Sequence, residues 1–523
     1  MWRGSSSPEE ERDEAGGEGR CLKQTEPDLV FHSPQLRLAG GSFSHRRRDV
    51  AALASGQDPG RSKEPQAAAG APAAGGGAMA LLAARRALFA AGRRWLPPHC
   101  APAAARPSSG SGGEPESEGP GRDTALLRHL LLKLRATGPV TVAEYMREAL
   151  TNPGQGYYTR RGGIGESGDF ITSPEITQVF GELIGIWFVS EWIATGKPKA
   201  FQLVELGPGR GTLTDDMLRV FKQLASLLSK CDVSIHLVEV SPKLSEIQAL
   251  RLTGGKVQSN PEDNSAYMKG VSKTGIPISW YRDIQDVPTG YSFYLAHEFF
   301  DALPIHKFQR TEKGWCEVLV DIDPEVPDQL RFVLSPSRTP ATEIFLQPEE
   351  TRDHVEVCPE AGVIIQRLAS RIEEDGGAAL VADYGHDGTK TDTFRGFRDH
   401  KLHDVLTAPG TADLTADVDF SYLRKMAQGR AATLGPIKQR EFLKNMGIDV
   451  RLQVLLQNSH DTATHKQLLH SYDMLMNPEK MGDCFNFFAL LPHQRLVHPD
   501  KKHKQESKCP LPPVAGFSEL LMK

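Results

Sequence analysis

The sequence predicts a mixed α/β fold in which helices cover both faces of a mainly parallel sheet, with a helical N-terminal part before the sheet and a β-rich insertion within it. Three observations carry this expectation. Apolar runs without polar alternation recur at 200–206, 233–240, 278–284, 291–300 and 377–385, as strands buried on both faces require. Helix-periodic segments lie between the first strands, the alternation expected of parallel crossovers. The first run, "AFQLVEL", opens into a turn with three alternate glycines and then a helix, so a ligand is expected at the carboxyl ends of the strands.

Periodic sequence begins after "SSGSGGEPESEGPG", and the folded domain is expected over 122–495. Within its helical lead (122–198), "TALLRHLLLKLRATG" (124–138) spaces apolar residues helically and stops on glycine. "TVAEYMREAL" continues in helix. A glycine-rich loop, "TNPGQGYYTRRGGIGESGDFITSP", follows, and its 154–172 part reads either as a lid with Tyr157, Tyr158 and Phe170 or as a plain connection. Ser173 and Pro174 start an apolar helix whose aromatics are expected in the core. Helices are expected again at 212–230 and in "SPKLSEIQALRL". Residues 303–376 break the rhythm with hairpin-like strands and a closing helix, as an insertion or a β-rich tail to the sheet. "DLTADVDFSYLRKMAQG" and "FLKNMGIDVRLQVLL" read as helical, and 496–523 as a polar, flexible tail.

The first 78 residues hold few large apolar side chains and are expected to be disordered. From Met79 to about residue 121 the character changes. Arg85, Arg86, Arg93, Arg94 and Arg106 accompany Leu, Phe and Trp with no acid before Glu114, the composition of a mitochondrial transit peptide followed by a linker. Such a peptide ordinarily starts at the initiator, so residues 1–78 are expected to come from an upstream start and the main product to begin at Met79. Detection of a peptide from residues 2–60 in tissue would exclude that expectation.

Composition narrows the class. Hydrophobic content of 39% and charged content of 24% describe a globular chain, and a net charge of -5 offers nothing to nucleic acid. No apolar run has the length of a membrane span. Seven cysteines without a CxxC pair fit a reducing compartment better than a disulfide scaffold or structural zinc. His386, Asp387, His400, His403 and Asp404 lack ligand spacing, so no metal is expected.

The glycine turn, "VELGPGRGTL", is E-x-G-x-G-x-G. A dinucleotide fingerprint would place its third glycine at 212, which is Thr212, and no Gly-Lys-Ser/Thr follows for a phosphate loop. The second strand run carries an acid near its end, Glu239, suited to a ribose diol. The plain alternative is a tight turn needing glycine for its backbone angles. Loop, preceding acid and second-strand acid together point to S-adenosylmethionine and methyl transfer.

"VELGPGRGTL", "GDFITSPEI", "HEFFDALP", "VADYGH" and "GTADLTADVDF", in that order, resemble the MidA family of mitochondrial methyltransferases over roughly residues 122–495. The resemblance implies a seven-strand-type, Rossmann-like methyltransferase sheet with S-adenosyl-L-methionine as cofactor. It also implies a type II activity, symmetrically dimethylating an arginine of a core subunit of complex I in the mitochondrial matrix, needed for complex I assembly. In this light Gly207, Gly209 and Gly211 would admit the methionine part of the cofactor and Glu239 its ribose. Glu205 would orient the loop or receive the amino group, and Asp283 would lie near the adenine or remain a surface acid. Glu298 and Asp301, after a strand end, are the expected guanidinium holders, since carboxylates read that planar cation well. Their plain alternative is a pair interacting with a helix dipole. The Thr-His-Trp loop of well-studied arginine methyltransferases is not found. Two other classes compete: a non-catalytic assembly chaperone retaining a cofactor-binding fold, and a small-molecule methyltransferase.

Overall fold

The computed structural model describes residues 124–160, 172–260, 265–347, 349–427, 429–496 and 513–517. The expectations for 1–78 and 79–121, the middle of the glycine-rich loop and most of the tail lie outside these residues.

Seven strands form the centre: β1 (Ala200–Leu206), β2 (Asp232–Val238), β3 (Pro277–Tyr281), β4 (Ser292–His297), β5 (Gly377–His386), β6 (Ala432–Lys438) and β7 (Phe485–Leu491). Their spatial order is β6-β7-β5-β4-β1-β2-β3, and two short strands, Met268–Val271 and Val257–Ser259, extend the sheet past β3. From β3 to β5 neighbours run parallel, while β7 lies antiparallel to both β5 and β6. The order reverses at β1, which lies between β4 and β2. A crevice therefore opens beyond the ends of these strands.

The missing polar alternation has a direct cause. Phe201 and Leu203 of β1 enter one apolar core, and Val204 and Leu206 enter the other. Both faces are covered, so apolar residues occupy positions on either side of the strand and the alternation is lost. The helices labelled here are α1 (Ala125–Thr137), α2 (Val142–Thr151), α3 (Gln178–Ala194), α4 (Thr212–Gln223), α5 (Pro242–Thr253), α6 (Pro359–Asp375) and α7 (Phe420–Ala427). Residues 179–194 of α3 are all buried, and its glutamates survive there by pairing: Glu182 Oε2 lies 2.8 Å from Arg451 Nη2, and Glu191 Oε2 accepts from Arg495 Nε at 2.8 Å.

A separate core joins α1 and α2 to the insertion. Strands His306–Thr311, Gly314–Ile322, Leu330–Leu334 and His354–Val357 form an antiparallel sheet, and Val140–Thr141 pairs with its Leu319–Val320 segment. Leu126, Leu130 and Tyr145 pack there with Val318 and Val320.

Several expectations are corrected. Helix α6 is the crossover from β4 to β5, so the β-rich insertion ends before it rather than at 376. Residues Asp413–Thr415 of the supposed helical piece are strand, preceding α7. Strands β6 and β7 were not anticipated. The supposed tail is anchored at 513–517, where Val514 and Phe517 are fully buried and Trp187 Nε1 donates to the Ala515 carbonyl at 2.9 Å. Its short apolar run is hidden by polar flanks.

Candidate functional site

The crevice spans about 980 Å³, open solvent at its mouth included, and is lined by the glycine turn, the ends of β2 and β4, and the turn at Ser173–Ile176. Gly207, Gly209 and Gly211 adopt φ of 62°, 53° and 77°, all left-handed. Glycine is needed for more than backbone freedom at 207, because a Cβ there would stand 2.8 Å from the Phe299 ring. The Gly207 N–H donates to the Val238 carbonyl at 3.0 Å, tying the turn to β2, and Gly211 caps α4.

Glu239 follows β2 and is held on both oxygens. Its Oε1 accepts from the Ser241 N–H at 2.7 Å and its Oε2 from Gln248 Nε2 at 3.0 Å. A carboxylate has lone pairs beyond these, enough for a diol. Gln248 of α5 also donates to the Gly209 carbonyl at 2.7 Å, and its Oε1 accepts from Trp280 Nε1 at 2.9 Å. No sequence pattern marks this glutamine, whose role arises from where α5 packs. Glu205 is buried at the end of β1 and accepts from the Thr214 hydroxyl. Burial raises both Glu205 and Glu239 to about 7.

Strand β4 delivers His297 and Glu298. Glu298 has φ of 49°, a strained setting for a non-glycine residue, and the following turn is held by Asp383. The Asp383 Oδ2 accepts the N–H groups of Phe299, Phe300 and Asp301 at 3.1, 2.9 and 3.4 Å. Glu298 is pushed well above the usual carboxylate range by burial, then by the neighbouring Asp301 charge. Its Oε1 has no hydrogen-bond partner among the described residues. His297, which sequence reasoning missed, also lines the crevice. Its ring sits 5.1 Å from Phe180 and 6.1 Å from Phe485, and burial lowers it to about 3. The run of apolar residues before it gives no hint of its role.

Three of the expected site residues are not in the crevice lining: Gly211, which caps α4, Asp301 and Asp283. Asp301 does not line the crevice, because the turn aims it inward to accept from Thr415 Oγ1 at 2.8 Å. Burial raises both Asp301 and Asp383. Asp283 is also absent from the lining. It caps a single turn through the Gln285 N–H at 2.8 Å and lies 3.3 Å from Arg367. The loop entry is fixed instead by Tyr158, whose hydroxyl donates to Asp413 at 2.6 Å while its carbonyl accepts from Ser241 Oγ at 2.8 Å.

This arrangement fits S-adenosylmethionine: bare backbone at Gly207 and Gly209 for the methionine part, Glu205 for an ammonium, Glu239 for hydroxyls, and apolar Val240 and Leu244 beside them.

The comparisons agree. Residues 183–437 match the family described as "Putative S-adenosyl-L-methionine-dependent methyltransferase". The "Protein arginine methyltransferase NDUFAF7, mitochondrial" of Homo sapiens is 70% identical over 412 residues, covering 78% of this chain and 92% of its own. The Drosophila melanogaster homolog of that name is 45% identical over 452 residues, covering 83% and 99%. A solved superfamily member from Burkholderia thailandensis, bound to S-adenosyl-homocysteine, shares the fold with a TM-score of 0.57 and 23% identity, covering 70% of this chain and 92% of that one. Identity this high across most of each relative's length is decisive: the chain belongs to the family of S-adenosyl-L-methionine-dependent methyltransferases.

Proposed function

We propose that the protein is a protein arginine N-methyltransferase that symmetrically dimethylates an arginine on a core subunit of mitochondrial complex I in the matrix, and so supports complex I assembly. The observation that carries the acceptor chemistry is Glu298: a buried carboxyl on the cofactor crevice, one oxygen unpartnered, on a turn held by three N–H bonds. The relatives' printed names support arginine and the mitochondrion.

The cofactor, when bound, supplies a methyl group activated on a sulfonium. The chain positions the two reactants about 3 Å apart for in-line displacement. In this reading the glycine turn admits the methionine part, Glu205 receives the amino group and Glu239 the ribose. Glu298 accepts an N–H of the guanidinium and holds the attacking nitrogen. The incoming cation provides the positive charge that lets this buried carboxyl ionise, and Glu298 then takes the proton released as the new C–N bond forms. Asp301 and Asp383 stand behind it and shape its charge and position.

The test pairs calorimetry for S-adenosylmethionine with mass spectrometry of complex I core subunits incubated with the wild-type chain or Glu298→Gln. The wild type is expected to yield symmetric dimethylarginine, and the variant to keep cofactor binding but lose transfer. Cofactor binding with no methylated arginine would sink the reading in favour of a non-catalytic assembly chaperone.

A further inference from the structure

His297 Nε2 and Glu298 Oε1 face each other 3.6 Å apart at the crevice, and neither has a hydrogen-bond partner among the described residues. A second buried atom without a partner is costly unless something arrives to satisfy it. With the ring proton on Nδ1, the unpartnered Nε2 is an acceptor. Burial keeps the ring neutral, so it does not repel a cation. The aromatic rings of Phe180 and Phe485 flank it, and its backbone is the last residue of β4, paired with Ala382 of β5. The lone pair is therefore aimed before any ligand binds. The 3.6 Å gap exceeds a hydrogen bond and lies within the span of two N–H donors carried by one planar cation.

We propose that His297 is a second substrate-contacting residue: its Nε2 accepts one N–H of the acceptor guanidinium while Glu298 Oε1 accepts another, so that the pair fixes which nitrogen faces the methyl group. This rests on the arginine reading above. A carboxylate alone would let the guanidinium pivot about a single contact. A rigid neutral acceptor beside it sets the plane and leaves the net charge for Glu298 to balance.

The experiment uses the full chain with arginine-containing peptides of the complex I core subunits. His297→Phe keeps an aromatic ring but removes the acceptor, and His297→Asn restores an acceptor without the ring. His297→Phe is expected to bind S-adenosylmethionine within about twofold of wild type and to lose roughly 30- to 100-fold in kcat/KM, the worth of a hydrogen bond to a charged group. His297→Asn should recover at least about tenfold of that loss, which a packing role would not allow. Wild-type efficiency in His297→Phe, or no recovery in His297→Asn, overturns the inference. If His297→Phe fails to fold, the wild-type imidazole ¹⁵N spectrum decides. A shift of Nε2 on saturation with the peptide supports the contact, and an unmoved resonance removes it. Absence of methylarginine from the wild-type reaction overturns the arginine reading and this inference together, whereas loss confined to the His297 variants leaves the former standing.

Discussion

Gly209 holds φ of 53° on the crevice floor, where a branched side chain meets both a forbidden backbone angle and the space a cofactor needs. Gly209→Val is expected to abolish S-adenosylmethionine binding in calorimetry while the protein stays folded by circular dichroism, and unchanged affinity would remove the turn from the cofactor site. Glu205 gives a pH signature. Its folded value near 7 lies above the ordinary 4.5, so the stability it contributes is full below pH 4.5 and lost as the pH rises through 7. Glu205→Gln of the cofactor-free protein should therefore match wild type near pH 4.5 and exceed it at pH 8, by up to about 3 kcal/mol. A melting-temperature gap independent of pH would contradict this. The crevice-lining residues legible in sequence were Gly207 and Gly209 of the turn and Glu205, Glu239 and Glu298 at or just past strand ends. Gln248, His297 and Asp383 were not legible, because each acts through a partner brought near by packing alone. Asp301 and Asp283 follow strand ends, which is why the sequence points to them, but local turns aim them away.

At the scale of elements, the turn after β4 depends on β5. Asp383→Ala leaves three N–H groups, two of them in buried bonds, without their acceptor, and a loss of about 2 kcal/mol in urea unfolding is expected. Methyl transfer should fall much further than cofactor affinity, since Glu298 moves and the glycine turn does not. Equal loss of both would show that Asp383 serves the whole crevice. Strands β1 to β5 were readable because burial on both faces removes polar alternation. Strand β7 is as apolar as any of them, yet it joins the sheet antiparallel after a long helical stretch, without the strand-helix rhythm that marked the others. The pairing of Val140–Thr141 with Leu319–Val320 spans too much sequence for any local pattern to show it.

The molecule as a whole rests on cores of unlike make-up: two that sandwich the central sheet, and one shared by α1, α2 and the insertion. Thr124 caps α1 and donates to the Pro409 carbonyl at 3.1 Å, so that core begins near residue 124. A chain starting at 122 is expected to keep wild-type cofactor affinity and melting temperature. One starting at 140, stripped of α1, should melt several degrees lower. Differential scanning calorimetry of the two distinguishes them, and equal melting would show α1 to be dispensable. Strand β7 has another consequence. It lies between β5 and β6 although both precede it in sequence, and Val514 and Phe517 seal the same core later still. As the ribosome extends the chain, β5 and β6 each wait with an open edge for a neighbour not yet made. The sheet can close only after nearly the whole polypeptide has emerged, so a premature stop anywhere before 485 leaves sticky, unpaired strands rather than a slightly shortened enzyme.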